Sequence, residues 1–121
     1  MKREFNLEDR LIDFAVDIIA LVESLPNTKA SNHLGGQLMR SGTSPALNYG
    51  EAQSSESRKD FIHKLRVILK ELRESLTCIK IIMKSKIPYE MSKIEPLYKE
   101  SNELISIFVK SIDTAQRNNL K

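Results

Sequence analysis

Seven apolar residues spaced three or four apart, Phe61, Leu65, Ile68, Leu72, Leu76, Ile79 and Met83, constrain this chain more than anything else in it. At about 100° per residue that period gathers all seven on one side of an α-helix, whereas a strand would scatter them over both faces. Ser57 with Asp60 three residues on is a variant capping box for its start. Lys84-Ser85-Lys86 puts positive charge at its end, and Ile87-Pro88 stops it, so the spacing predicts a helix over about 58–85. A stripe of this length has to be covered by other elements.

Three further segments supply the cover. The first, about 7–25, has Asn6 as N-cap, Glu8 and Asp9 in its first turn and Pro26-Asn27 as its stop. Leu7, Leu11, Phe14, Ile18, Val22 and Leu25 form its core stripe. A second seam of Ile12, Val16 and Ile19, with Ala20 nearby, points well away from that stripe, and Asp9, Asp13 and Asp17 make an acidic ridge beside it. One core does not easily cover both faces, which marks Ile12, Val16, Ile19, Asp13 and Asp17 as a candidate oligomer seam.

The second segment, about 32–53, is capped by Ser31 or Asn32. Pro45 removes its own hydrogen bond to the Ser41 carbonyl, which implies a kink or loosening there; the alternative is two short helices broken at Gly42 to Ser44. Gly42 lies near the apolar face, where a close helix approach would use it. The fourth segment, about 92–116, starts at the capping box Ser92-Lys93-Ile94-Glu95, with Pro96 tolerated near the first turn. Ile94, Leu97, Tyr98, Leu104, Ile105, Phe108, Ile112 and Ala115 form its stripe, and the tail from Gln116 to Lys121 is expected to fray. With short connections, this predicts an all-α fold: one up-down-up-down antiparallel four-helix bundle as a single domain over 1–121.

Composition narrows the class. No run approaches the roughly 18 apolar residues of a membrane span; the stretch Ile18 to Val22 sits between Asp17 and Glu23. Met1-Lys2-Arg3-Glu4 does not open a secretory leader. Cys78 is the single cysteine, which excludes an intrachain disulfide and fits a cytoplasmic protein. The net charge of +3 is unevenly divided: residues 1–57 hold five Lys/Arg against eight Asp/Glu, residues 58–121 fourteen against eight. Such asymmetry suits either a polyanion or two mutually complementary surfaces.

Two constellations carry that choice. On the second helix, Gln37, Arg40, Ser41, Ser44, Asn48 and Glu51 form a polar stripe beside the apolar face of Leu34, Leu38, Pro45, Tyr49 and Ala52. Arg40 and Glu51 are three turns apart and cannot pair, so each requires a partner from another helix, another subunit or a ligand. On the third helix, Lys59, Arg66, Lys70, Arg73, Lys80 and Lys84 fall on the face opposite the core stripe. A straight cationic ridge can follow a phosphate backbone, binding RNA or DNA mainly by charge and shape. It can equally face the acidic ridge of another subunit, or only solvent.

Catalytic and metal patterns are weak. His33 and His63 lack the i,i+4 spacing or cysteine neighbours of a metal site, Cys78 falls on the core side of its helix, and Gly35-Gly36 lacks the Lys-Ser/Thr of a phosphate loop. Glu51 has no carboxylate partner nearby in sequence. The expectation is a non-enzymatic protein without cofactor or metal.

The stretch RSGTSPALNYGEA followed by SRKDFIHKLRVILKELRESL resembles the bacterial 23S ribosomal RNA intervening-sequence proteins. Their Arg-Ser-x-x-Ser-x-x-x-Asn-x-x-Glu core falls here on Arg40, Ser41, Ser44, Asn48 and Glu51. The Asp-Phe start and Lys-Glu pair that follow fall on Asp60, Phe61, Lys70 and Glu71. Gln37 and the segment NELISIFVKSIDTAQRN also fit; Cys78 departs, since related chains often carry Trp there. The resemblance spans roughly residues 7 to 118. It implies an all-α bundle, a ring-like homopentamer and no known enzyme activity, and leaves RNA and an unidentified protein as possible partners.

Overall fold

The computed structural model describes residues 6–119 as four α-helices: α1 (Leu7–Ser24), α2 (Lys29–Ala52), α3 (Arg58–Lys84) and α4 (Met91–Asn119). Met1 to Phe5, the segment considered above for a secretory leader, and the last two residues of the tail lie outside the described residues.

Helix boundaries follow from which groups satisfy the free amides at each end. At α1 the Asn6 side chain accepts from the Asp9 amide at 3.0 Å, and the helix gives way to extended backbone at Leu25, just before Pro26. At α3 the Ser57 hydroxyl accepts from the Asp60 amide at 3.0 Å. Two starts differ from the sequence expectation. Thr28, not Ser31 or Asn32, caps α2: its hydroxyl accepts from the Ser31 amide at 3.2 Å, and Ser31 becomes a buried residue inside the helix. Lys29 and Ala30 are good helix formers and carry the helix back to the earlier cap. In α4 the amides of Lys93 and Ile94 both donate to the Glu90 carbonyl, at 3.0 and 3.1 Å, so Ser92 already lies in the first turn. At its other end α4 extends beyond the expected boundary near 116, to Asn119.

α2 runs unbroken through Gly42 to Ser44 and past Pro45. The Thr43 and Ser44 hydroxyls donate back to the carbonyls of Met39 and Arg40, at 2.7 and 2.6 Å, in the turn just before Pro45.

Register places the helices antiparallel. Gly42 lies against Ile18 and Gly35 against Val22, with Gly50 near Glu8, so α2 descends as α1 rises. Arg40 meets Glu71 and Glu74 while Glu51 meets Lys64, which reverses α3 against α2. Each helix packs on its two neighbours, the thinnest seam being α1 on α4. That seam is fastened by Arg10, whose Nε and Nη2 hold the two carboxylate oxygens of Glu100 at 2.9 and 2.6 Å, with Glu103 at 3.3 Å.

The core draws on all four helices: Leu11, Phe14, Ile18 and Leu21; Leu38; Leu65, Ile68, Leu72, Ile79 and Ile82; Ile94, Leu97, Leu104 and Phe108. The Tyr49 ring meets Phe108 edge to face at 6.0 Å, joining α2 to α4 across the bundle. Burial raises the Tyr49 pKa, with Glu8 adding to the effect. Leu21, Ile62 and Ile82 are buried although the sequence stripes omit them, while Val22, Leu25, Leu76 and Met83 are only partly buried. A 3.6-residue stripe has width, and its edge residues divide according to where the neighbouring helix lies.

Gly42 sets the α1–α2 distance. A Cβ there would stand 2.7 and 2.8 Å from the two γ-carbons of fully buried Ile18, a stiff β-branched side chain. Gly42→Ala is therefore expected to lower stability by about 1–2 kcal/mol despite Ala's helix propensity, through overpacking. Gly36→Ala on the same helix, where nothing lies within 4 Å of the new methyl, should instead raise it by up to about 1 kcal/mol. Urea unfolding of the two variants checks both signs.

Candidate nucleic-acid interface

α3 has two flanks of opposite chemistry. On one, Lys59, Arg66, Lys70, Arg73, Lys80 and Lys84 are all exposed, and none has an ion-pair partner among the described residues. With a rise of about 1.5 Å per residue, this ridge is about 37 Å long. On the other flank stand Glu71 and Glu74. Their carboxylates are taken by Arg40 of α2, Nη1 reaching Glu71 at 2.8 Å and Nη2 bonding Glu74. The carboxylates on α3 that could neutralise the ridge are thus already engaged by Arg40.

The polar stripe of α2 divides accordingly. Arg40 also donates to Gln37 at 3.3 Å. Ser41 is fully buried and accepts from the Ser75 hydroxyl at 2.9 Å; Ser44 bonds its own helix; Glu51 pairs with Lys64 at 3.5 Å. Asn48 is half-buried and Gln37 exposed. The partners that Arg40, Ser41 and Glu51 require therefore come from α3 of the same chain, and these three need no second subunit. Glu71, Glu74 and Ser75 complete the network. Glu71 stood in the quoted Lys-Glu pair, but nothing in the sequence alone coupled it to a residue 31 positions earlier.

The candidate seam on α1 is uncovered. Ile12, Val16 and Ile19 are 45%, 57% and 41% exposed, Leu47 of α2 is 70% exposed, and Asp9, Asp13 and Asp17 stand in solvent beside them. From the pairing of Ile18 with Gly42 and of Glu8 with Gly50, Ile12 lies level with the turn of α2 that carries Leu47.

Cys78 is buried, and its thiol pKa is raised mainly by that burial and secondarily by Glu74, with Arg40 opposing. A thiol so placed is a packing group rather than a nucleophile. His33 and His63 are exposed. Among the described residues no three His, Cys, Asp or Glu side chains are grouped to hold a metal, and no helix is long and apolar enough to cross a membrane.

Residues 3–110 match the family model of the 23S rRNA-intervening sequence protein. The chain belongs to this family. A crystal structure at 1.70 Å resolution of a protein of unknown function from the S23 ribosomal protein family of Bacteroides thetaiotaomicron VPI-5482 is similar in sequence and fold. Identity is 30%, the alignment covers 88% of this chain and 98% of that one, and the TM-score is 0.80. Among curated proteins no similar sequence is found. Four of the motif residues through which the chain resembles the family bond across the α2–α3 junction: Arg40 with Glu71, Ser41 with Ser75, and Glu51 with Lys64. In this member they join two helices.

Proposed function

We propose that this family member is a non-enzymatic, self-assembling bundle that binds structured RNA through the cationic flank of α3. The observation that carries the reading is the unpaired ridge itself: six exposed cations on one line, on a helix whose Glu71 and Glu74 are committed to Arg40. A folded RNA presents phosphates on a convex surface that such a ridge can follow, and six contacts would give a salt slope of about −4 to −5. Assembly would cover Ile12, Val16 and Ile19, with a homopentamer expected from the family resemblance. The Asp9, Asp13 and Asp17 ridge beside that seam would keep a polyanion off the assembly face.

A second reading, an oligomeric scaffold with no nucleic-acid role, is favoured by one observation: the acidic ridge of α1 and the basic ridge of α3 are both exposed and of opposite sign, and so could meet between copies. Light scattering after size exclusion, at low and high salt and with the 260/280 nm absorbance ratio followed, separates the two. RNA binding predicts a salt-resistant oligomer that leaves the cell with nucleic acid and sheds it in salt, and Val16→Asp should reduce it to monomers. A nucleic-acid-free particle that falls apart in salt would overturn the RNA reading and favour the scaffold.

A further inference from the structure

Antiparallel packing brings the start of α3 beside the end of α4, and between them lies an open cleft of about 370 Å³. Arg58 enters from α3, Lys110 from α4, and Ser111, Thr114 and Asn118 line it with two hydroxyls and an amide; Phe61 supplies an apolar wall. No carboxylate lines the cleft. Neither Arg58 nor Lys110 has an ion-pair partner among the described residues, and Asp113 on the same helix is held by Arg117 at 3.2 Å. Two unpaired cations with neutral hydrogen-bonding groups between them suit a phosphate, and a half-buried aromatic ring beside them suits the face of a base. The volume falls in the range of small-ligand sites and is sufficient for one nucleotide.

We propose that this cleft takes a single unpaired nucleotide of an RNA whose folded part lies on the α3 ridge. Its phosphate sits between Arg58 and Lys110 and its base against Phe61. The inference rests on the RNA reading above, and it adds a division of labour: the ridge follows the convex, paired backbone, and the cleft holds an end or a bulge. Lys59 continues the ridge next to Arg58 in sequence, so one strand can reach both.

The test uses two RNA hairpins of identical stem, one blunt and one with a single-stranded overhang, titrated by fluorescence anisotropy against the full chain. The wild type should bind the overhang hairpin about tenfold more tightly, in keeping with one stacked base and one extra phosphate. Arg58→Ala with Lys110→Ala should remove that preference and leave blunt-hairpin binding in place; both residues are exposed and unpaired, so the fold is retained. A wild type that binds both hairpins equally, or a double variant that keeps the preference, overturns the cleft while leaving the ridge standing. Failure to bind either hairpin overturns both.

Discussion

Lys70→Glu combined with Arg73→Glu is expected to abolish RNA binding and to leave the oligomer whole. The two residues lie one turn apart in the middle of the ridge, and reversal does more than delete two contacts. A glutamate at position 70 stands four residues after Arg66, the spacing at which opposite charges on a helix pair, so Arg66 is neutralised from within. What remains is Lys59 at one end and Lys80 with Lys84 at the other, separated by about 31 Å of helix. With at most three of six phosphate contacts left and two repulsive charges between them, affinity should fall at least about 100-fold, and the salt slope should shrink by about half. Exposed substitutions without partners change stability little, within about 0.5 kcal/mol, so the melting curve should be unchanged. Filter binding and light scattering on the same preparation check the claim. Dissociation of the oligomer with no change in nucleic-acid content would instead place the ridge between subunits.

How much of this was legible in the sequence depended on whether a feature is local. The caps at Asn6 and Ser57, the stripes of α1, α3 and α4, and the exposure of the Lys59 to Lys84 ridge follow from spacing along one helix, which sequence displays directly. The start of α2 was missed because Thr28 and Ser31 are both competent caps, and the choice turns on one extra turn whose inner face Ser31 fills. Gly42 could be placed near the apolar side, but that its missing Cβ is the space occupied by Ile18 is a matter of register between two helices. The same holds for Arg40 with Glu71, 31 residues apart, and for Arg58 with Lys110 across the cleft. Polar residues in a stripe announce that they need partners; which partners they find is decided by how the bundle closes.

Arg40→Ala is expected to destabilise the bundle by about 2 kcal/mol, and Glu71→Gln in the same chain to restore about half of the loss. The Glu71 side chain is only 12% exposed, and Arg40 supplies its ion pair; without Arg40 a carboxylate is left largely desolvated with no countercharge. Breaking a fully buried pair costs about 3–5 kcal/mol, and the lower figure here reflects the Arg40 side chain being 52% exposed, where water already screens part of the attraction. Gln at 71 removes the charge and keeps the shape, which is why it rescues. Thermal unfolding should show a drop of about 8 °C for the single variant and about 4 °C for the double. A single variant as stable as the wild type would mean that the pair is merely a surface contact. The substitution also tests the link between the two flanks of α3, because it releases the charges of Glu71 and Glu74. A helix is about 10 Å across and the Debye length is about 10 Å at 0.1 M salt, so those charges should weaken RNA binding a few-fold at low salt and have almost no effect near 0.5 M. Salt-dependent weakening of that kind would show that Arg40 serves binding as well as packing, by keeping the acids of α3 engaged on the flank away from the ligand.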